Sequence, residues 1–173
     1  LLHRVVAELL EQYPAGQAHE RNAHLAEHYE RGKVWPKAIH YLGRAADHSQ
    51  KLFAMRETLQ WFDRAASLLQ AHPDAATQAQ QMALYEQRGV ARAQAGQTEG
   101  AVADFKRVVQ AARALNQHEH ARDVLIQLGM AYRRADAYEL AVACLDEALT
   151  ASRATGDERH IADTLYHLGT VAW

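Results

Sequence analysis

Gly89, Gly129 and Gly169 stand 40 residues apart. Ala101 and Ala141 keep the same interval, as do Phe105 with Leu145 and Val108 with Ala148. A chain that returns small and large residues at one fixed interval reads as one supersecondary unit used several times. Each such unit buries its apolar face against the next. The unit itself is helical. Leu1, Leu2, Val5, Val6, Leu9 and Leu10 recur at helical spacing, and no segment alternates with the period of a strand. Alanine, which loses no side-chain entropy in a helix, is abundant, and only three prolines interrupt the chain.

Turn residues divide the pattern into about nine helices. The first runs to Pro14-Ala15-Gly16. A second covers about 19–31 and stops at Gly32, and Pro36 opens a third in its first turn, where the missing N–H is harmless. From Ala38 to Gln70 there is no proline and one glycine, so a break near Phe53-Ala54 is inferred from pattern alone. "AHPDAAT" (71–77) is a turn, and further helices follow at about 76–95, 98–115, 118–135, 138–154 and 158–173.

The best copy of the repeat reads Leu125-x-x-Leu128-Gly129-x-x-Tyr132, then Ala141-x-x-x-Leu145-x-x-Ala148. An earlier copy has Leu25-Ala26-x-x-Tyr29, then Ala38-x-x-x-Leu42-x-x-Ala45. This resembles the tetratricopeptide repeat. The resemblance implies an all-α fold, a right-handed superhelical solenoid of antiparallel helix pairs. Small residues at Gly89, Gly129 and Gly169, faced by Ala38, Ala101 or Ala141, let the paired helices approach closely. There are departures from the family pattern. The period is 40 rather than about 34. Arg88 and Arg92 stand where Leu and Tyr are expected, which weakens the third unit. Thr58-x-x-x-Phe62-x-x-Ala65 returns only 20 residues after the Leu42 and Ala45 pattern, so one unit looks irregular.

A broader similarity lies in "LLHRVVAELLEQYP", "HLAEHYERG" and "KAIHYLGRAAD". They look like the helical region that follows the ATPase core in large bacterial signalling proteins, which fuse a STAND or AAA-type ATPase to cyclases, kinases or LuxR-type DNA-binding domains. The resemblance implies that residues 1–17 form a linking helix from an upstream domain. Residues 18–173 form the repeat array, truncated at its C-terminal end and cut from a longer protein. It also implies a role in sensing a ligand or partner and restraining an ATPase domain of the same chain. The stretch itself contains no G-x-x-x-x-G-K-[ST] phosphate loop.

Composition narrows the function further. The formal charge is −2 and the basic residues are scattered, which argues against nucleic-acid binding by phosphate neutralisation. No apolar run is long enough to cross a bilayer. Cys144 is the only cysteine, so no intrachain disulfide forms, which fits a cytoplasmic location; it reads as a buried thiol rather than a nucleophile.

"HLAEH", His24 to His28, matches the H-x-x-E-H ligand pattern of one class of zinc proteases. In the repeat register, however, Leu25, Ala26 and Tyr29 are the packing residues. His28 then packs against the preceding helix and His24 lies at the helix edge. The pair His118 and His120, two apart, points to different faces. Ser49, Ser67 and Ser152 lack a nucleophile elbow. Asp104, Asp146 and Glu147 read as solvated charges, and Trp61-Phe62 as core. The expectation is a non-catalytic chain with no cofactor and no metal; a zinc-dependent hydrolase is the remote alternative.

What remains is an interaction scaffold, with a structural spacer or oligomerisation segment as the alternative. In tetratricopeptide arrays the first helix of each pair lines the concave face. Carried over to this chain, that register offers Glu86 and Val90, then Asp123, Ile126, Met130, Arg133 and Arg134, then Asp163, Tyr166 and Trp173. Ile126, Met130 and Tyr166 would form an apolar strip, and the two arginines a clamp for a carboxylate on a peptide or protein partner. Uncovered Leu165, Leu168, Gly169 and Ala172 would favour a homodimer through that end.

Overall fold

The computed structural model describes residues 2–12 and 18–171. They form nine α-helices and no strand: α1 (Leu2–Gln12), α2 (Ala18–Arg31), α3 (Trp35–Lys51), α4 (Met55–Ala71), α5 (Gln78–Gln94), α6 (Thr98–Ala114), α7 (His118–Arg134), α8 (Tyr138–Thr155) and α9 (Glu158–Val171). A short 3₁₀ turn, Pro73–Ala75, lies between α4 and α5. The expected turn at Pro14–Gly16 lies outside the described residues. The chain is an all-α solenoid of antiparallel helix pairs. It divides into two compact units, Leu1–Leu84 and Tyr85–Trp173. Among the described residues no helix is long and apolar enough to cross a membrane.

The repeat step is one helix rather than a pair. Helices α6, α7, α8 and α9 start at Thr98, His118, Tyr138 and Glu158, 20 residues apart, and α3 and α4 keep the same step. Each helix buries the same positions: Ala38, Leu42 and Ala45 in α3, Thr58, Phe62 and Ala65 in α4, Ala101, Phe105 and Val108 in α6, Ala141, Leu145 and Ala148 in α8. The copy at Thr58 that looked irregular is therefore an ordinary helix. The 40-residue interval is two such steps.

The links explain why the step is so regular. Six of them carry a left-handed residue at the same place: Lys33, Phe53, Gly96, Asn116, Asp136 and Gly156. At each, that residue's N–H reaches the carbonyl three back, and the next N–H reaches five back, as in Phe53 to Gln50 (3.0 Å) and Ala54 to Ser49 (2.9 Å). This is the Schellman motif, which satisfies the last carbonyls of one helix. Its final residue is already the N-cap of the next helix. Val34, Ala54, Gln97, Gln117 and Ala137 accordingly make no side-chain cap. The break expected near Phe53 is one of these links. Helix α2 stops before Gly32 as expected, but Lys33 takes the left-handed conformation, and Gly32 leaves room for α1, whose Arg4 backbone N would lie 3.3 Å from a β-carbon there.

Side-chain caps occur where the step is broken or where Asp is available. Before α5, Thr77 and Gln80 form a reciprocal capping box (2.9 and 3.3 Å). Before α9, Asp157 Oδ1 accepts from the His160 N–H at 3.2 Å.

The small residues act as expected at two of three sites. A β-carbon at Gly89 would lie 2.8 Å from the Phe105 ring, and one at Gly129 would lie 2.8 Å from Leu145 Cγ. At Gly169, on the last described helix, nothing lies within 4 Å among the described residues.

Asp104 is not a solvated charge; it is 1% exposed. Arg88 binds both of its carboxylate oxygens (Nε 2.8 Å, Nη2 2.6 Å), and Arg92 Nη1 adds a contact at 3.0 Å. Forty residues on, the corresponding positions are Leu128 and Cys144. An α5–α6 seam that lacks the usual Leu has replaced it with a planar guanidinium–carboxylate fork, which satisfies both buried charges. Asp146 and Glu147 are exposed as expected, Glu147 pairing with Arg113. Of the Trp61-Phe62 pair expected in the core, Phe62 is fully buried and Trp61 only half-buried; Ser49 and Ser152 are fully buried.

Candidate functional site

In the second unit the expected binding residues lie on α5, α7 and α9, and side-chain bridges tie these helices together. His120 Nε2 on α7 meets Glu86 Oε2 on α5 at 2.6 Å. His160 on α9 meets Asp123 Oδ1 on α7 at 3.3 Å. Both histidines are the third residue of their helix and stand 40 apart, so the histidine position repeats with the fold, while their carboxylate partners sit at different positions of α5 and α7. His118, two residues before His120, is exposed, as the helical spacing requires.

Around His160 the bridge widens into a network. Its Nδ1 meets Asp157 Oδ2 at 2.7 Å, and buried Arg122 reaches Asp157 (3.1 Å) and Asp123 (2.9 Å). The backbone N–H of His160, together with the His160 ring and Arg122, holds the Asp157 carboxyl below its ordinary range. Arg159, His160 and Asp163 line a cleft of about 480 Å³ beside it.

The remaining expected residues are graded in exposure. Val90, Met130 and Arg133 are half-buried, while Arg134 is exposed and donates to the Ala93 carbonyl of α5 at 3.4 Å. Ile126 is only 7% exposed, so it supports this face from beneath. Tyr166 is 68% exposed with its ring set edge-on to His167, and Asp163 is exposed 3.7 Å from that histidine. Trp173 lies outside the described residues. Sequence reasoning missed His120, His160, Arg122 and Asp157. The signal was present for the histidines, because their 40-residue separation is that of the packing glycines.

The zinc-like stretch is used for packing. Leu25, Ala26 and Tyr29 are buried, and His24 is exposed. His28 packs on the preceding helix through His3, and Glu27 is engaged by Arg31 at 2.6 Å. Among the described residues no three His, Cys, Asp or Glu side chains are placed to hold one metal ion. Cys144 is half-buried, and burial pushes its thiol up, away from the reactive thiolate.

The tetratricopeptide repeat family model matches residues 122–155, which span most of α7 and all of α8. No curated protein sequence matches the chain. Solved structures do. The Rap conjugation gene regulator of plasmid pLS20, in complex with the Phr* peptide, is 14% identical with a TM-score of 0.67 over 99% of this chain and 52% of that one. BtubC from P. vanneervenii is 16% identical with a TM-score of 0.63 over 90% and 66%. MamA from Desulfovibrio magneticus RS-1 is 16% identical with a TM-score of 0.58 over 99% and 92%. The chain spans about half the length of the Rap protein. At these identities the likeness is one of fold: a tetratricopeptide-like helical solenoid.

Proposed function

We propose that this chain is a non-catalytic interaction scaffold whose α5, α7 and α9 offer a face to a peptide or partner protein. The observation that carries the reading is the order of chemistry along α7. Acidic Asp123 lies near its start, half-buried Met130 lies in its last turns, and Arg133 and Arg134 end it. An extended peptide laid along that helix would meet an apolar contact between opposite charges. Its carboxylate would go to the arginines, whose planar donors suit it. The solved Rap complex with a peptide supports the same use of a similar fold.

The test starts from a partner captured from the native lysate and measures its affinity for the chain carrying Arg133→Glu and Arg134→Glu. Loss of a charged, partly desolvated contact should cost about 2–5 kcal/mol. Unchanged affinity, with the helical circular dichroism intact, would mean that the partner docks elsewhere.

The wider setting we infer is a cytoplasmic signalling protein in which this region restrains an upstream ATPase. The similarity of the segments around α1, α2 and α3 to the helical region after such ATPase cores supports this. Sequencing upstream in the gene checks it: a phosphate-binding loop is expected, and a reading frame without one would remove the ATPase from the proposal.

A further inference from the structure

Helix α1 is held by very little apolar burial. Ala7 is its only fully buried residue, packed with Leu25, Tyr29 and Ala38, whereas α7 buries nine residues. Leu2, Val5 and Leu9 are exposed. The docking face is the stripe His3, Ala7 and Glu11, each one turn after the last, with half-buried Leu10 packed beside Ala7, so two polar residues share it with two apolar ones. Glu11 takes hydrogen bonds from Lys37 and Tyr41 on α3, both at 2.6 Å. At the other end, His3 Nδ1 meets His28 Nδ1 on α2 at 3.0 Å.

Two imidazole nitrogens at that distance must divide the roles of donor and acceptor, so at least one ring is neutral. Protonating both leaves two N–H groups and two positive charges facing each other. The surroundings do little to offset this. On α2, Glu27 favours charge on His28, but it is already paired with Arg31, which opposes that charge, as does His24. On α1, Arg4 is paired with Glu8. On α3, Lys37 and Tyr41 are committed to Glu11 at the opposite end of α1.

We propose that α1 is a pH-gated helix. It stays docked while His3 and His28 carry at most one proton between them. It leaves α2 and α3 when both are protonated, uncovering Leu25, Tyr29 and the Lys37–Tyr41 pair. Burial, then His3, hold the docked His28 below its ordinary value, so the released state binds more protons. Docking is therefore strongest above about pH 6.5 and is lost as pH falls below it. Each proton taken up on release weakens docking by up to about tenfold per pH unit. Burial alone would raise Glu11, but the bonds from Lys37 and Tyr41 outweigh it and keep this carboxyl below its ordinary range. It stays ionised through the same window.

The experiment is amide hydrogen exchange on the full chain near pH 7.5, 6.5 and 5.5 with EDTA present, corrected for intrinsic rates. Protection in α1 should fall stepwise while α3 keeps its own. In His3→Asn/His28→Asn, amides replace the rings with a donor–acceptor pair that does not titrate, and protection should be flat. If α1 of that variant is unprotected at every pH, His3→Asn alone is read instead; its amide oxygen can accept from a protonated His28, so the fall should be shallower than in the unmodified chain, and an equal fall overturns the proposal. Flat protection in the unmodified chain, or the same fall with and without the histidines, overturns the proposal.

Discussion

Phe53 is the residue at which local conformation and side chain disagree most. It sits at φ 58° in a link where other copies have Gly, Asn, Asp or Lys, and it is 91% exposed. A side chain in the left-handed region costs about 1–2 kcal/mol, and here no contact offsets it. Phe53→Gly should stabilise the fold by about 1 kcal/mol, read as a higher urea midpoint with unchanged slope. The helical glycines make a matched pair. Gly129→Ala drives a β-carbon to 2.8 Å from Leu145 Cγ and should destabilise by about 1–3 kcal/mol. Gly169→Ala meets open space and should stabilise by up to about 1 kcal/mol through helix propensity. Equal effects at the two sites would contradict the packing described for α7 and α8.

Between elements, the α5–α6 seam depends on charge where its neighbours depend on shape. Asp104→Ala leaves Arg88 buried without its carboxylate and should cost about 3–5 kcal/mol. Replacing both by apolar residues, Arg88→Leu as at Leu128 with Asp104→Val, should be near neutral or stabilising, because well-packed apolar groups avoid the desolvation cost. Arg92, its side chain 18% exposed, can still reach water. Denaturant unfolding of the two variants decides this. If both lose the same stability, Asp104 serves the fold through something other than pairing with Arg88.

Across the molecule, the second unit exposes Leu165 (46%) and Tyr166 (68%) on α9. Exposed apolar surface of this kind favours self-association. Sedimentation velocity over a hundredfold concentration range should show a rising coefficient that Leu165→Glu suppresses. A constant monomer value at all concentrations would leave α9 with no role in assembly.

Periodicity alone made the helix count, most boundaries and the buried positions readable, because burial in a stacked array repeats with the backbone. That is why the sequence places Leu25, Phe105, Leu145 and Gly129 in the core, and why the zinc-like spelling of residues 24–28 reads as packing. The sequence did not reveal that the step was a single helix. Four of the six left-handed link residues are not glycine, so the turns at Lys33, Phe53, Asn116 and Asp136 carry no strong mark. The partners of polar residues were likewise hidden. Whether Asp104 faces water or Arg88, or His28 meets His3, depends on which side chains on neighbouring helices come within about 3 Å of one another. Spacing along one helix sets a side chain's direction, and only the packed structure decides what stands opposite.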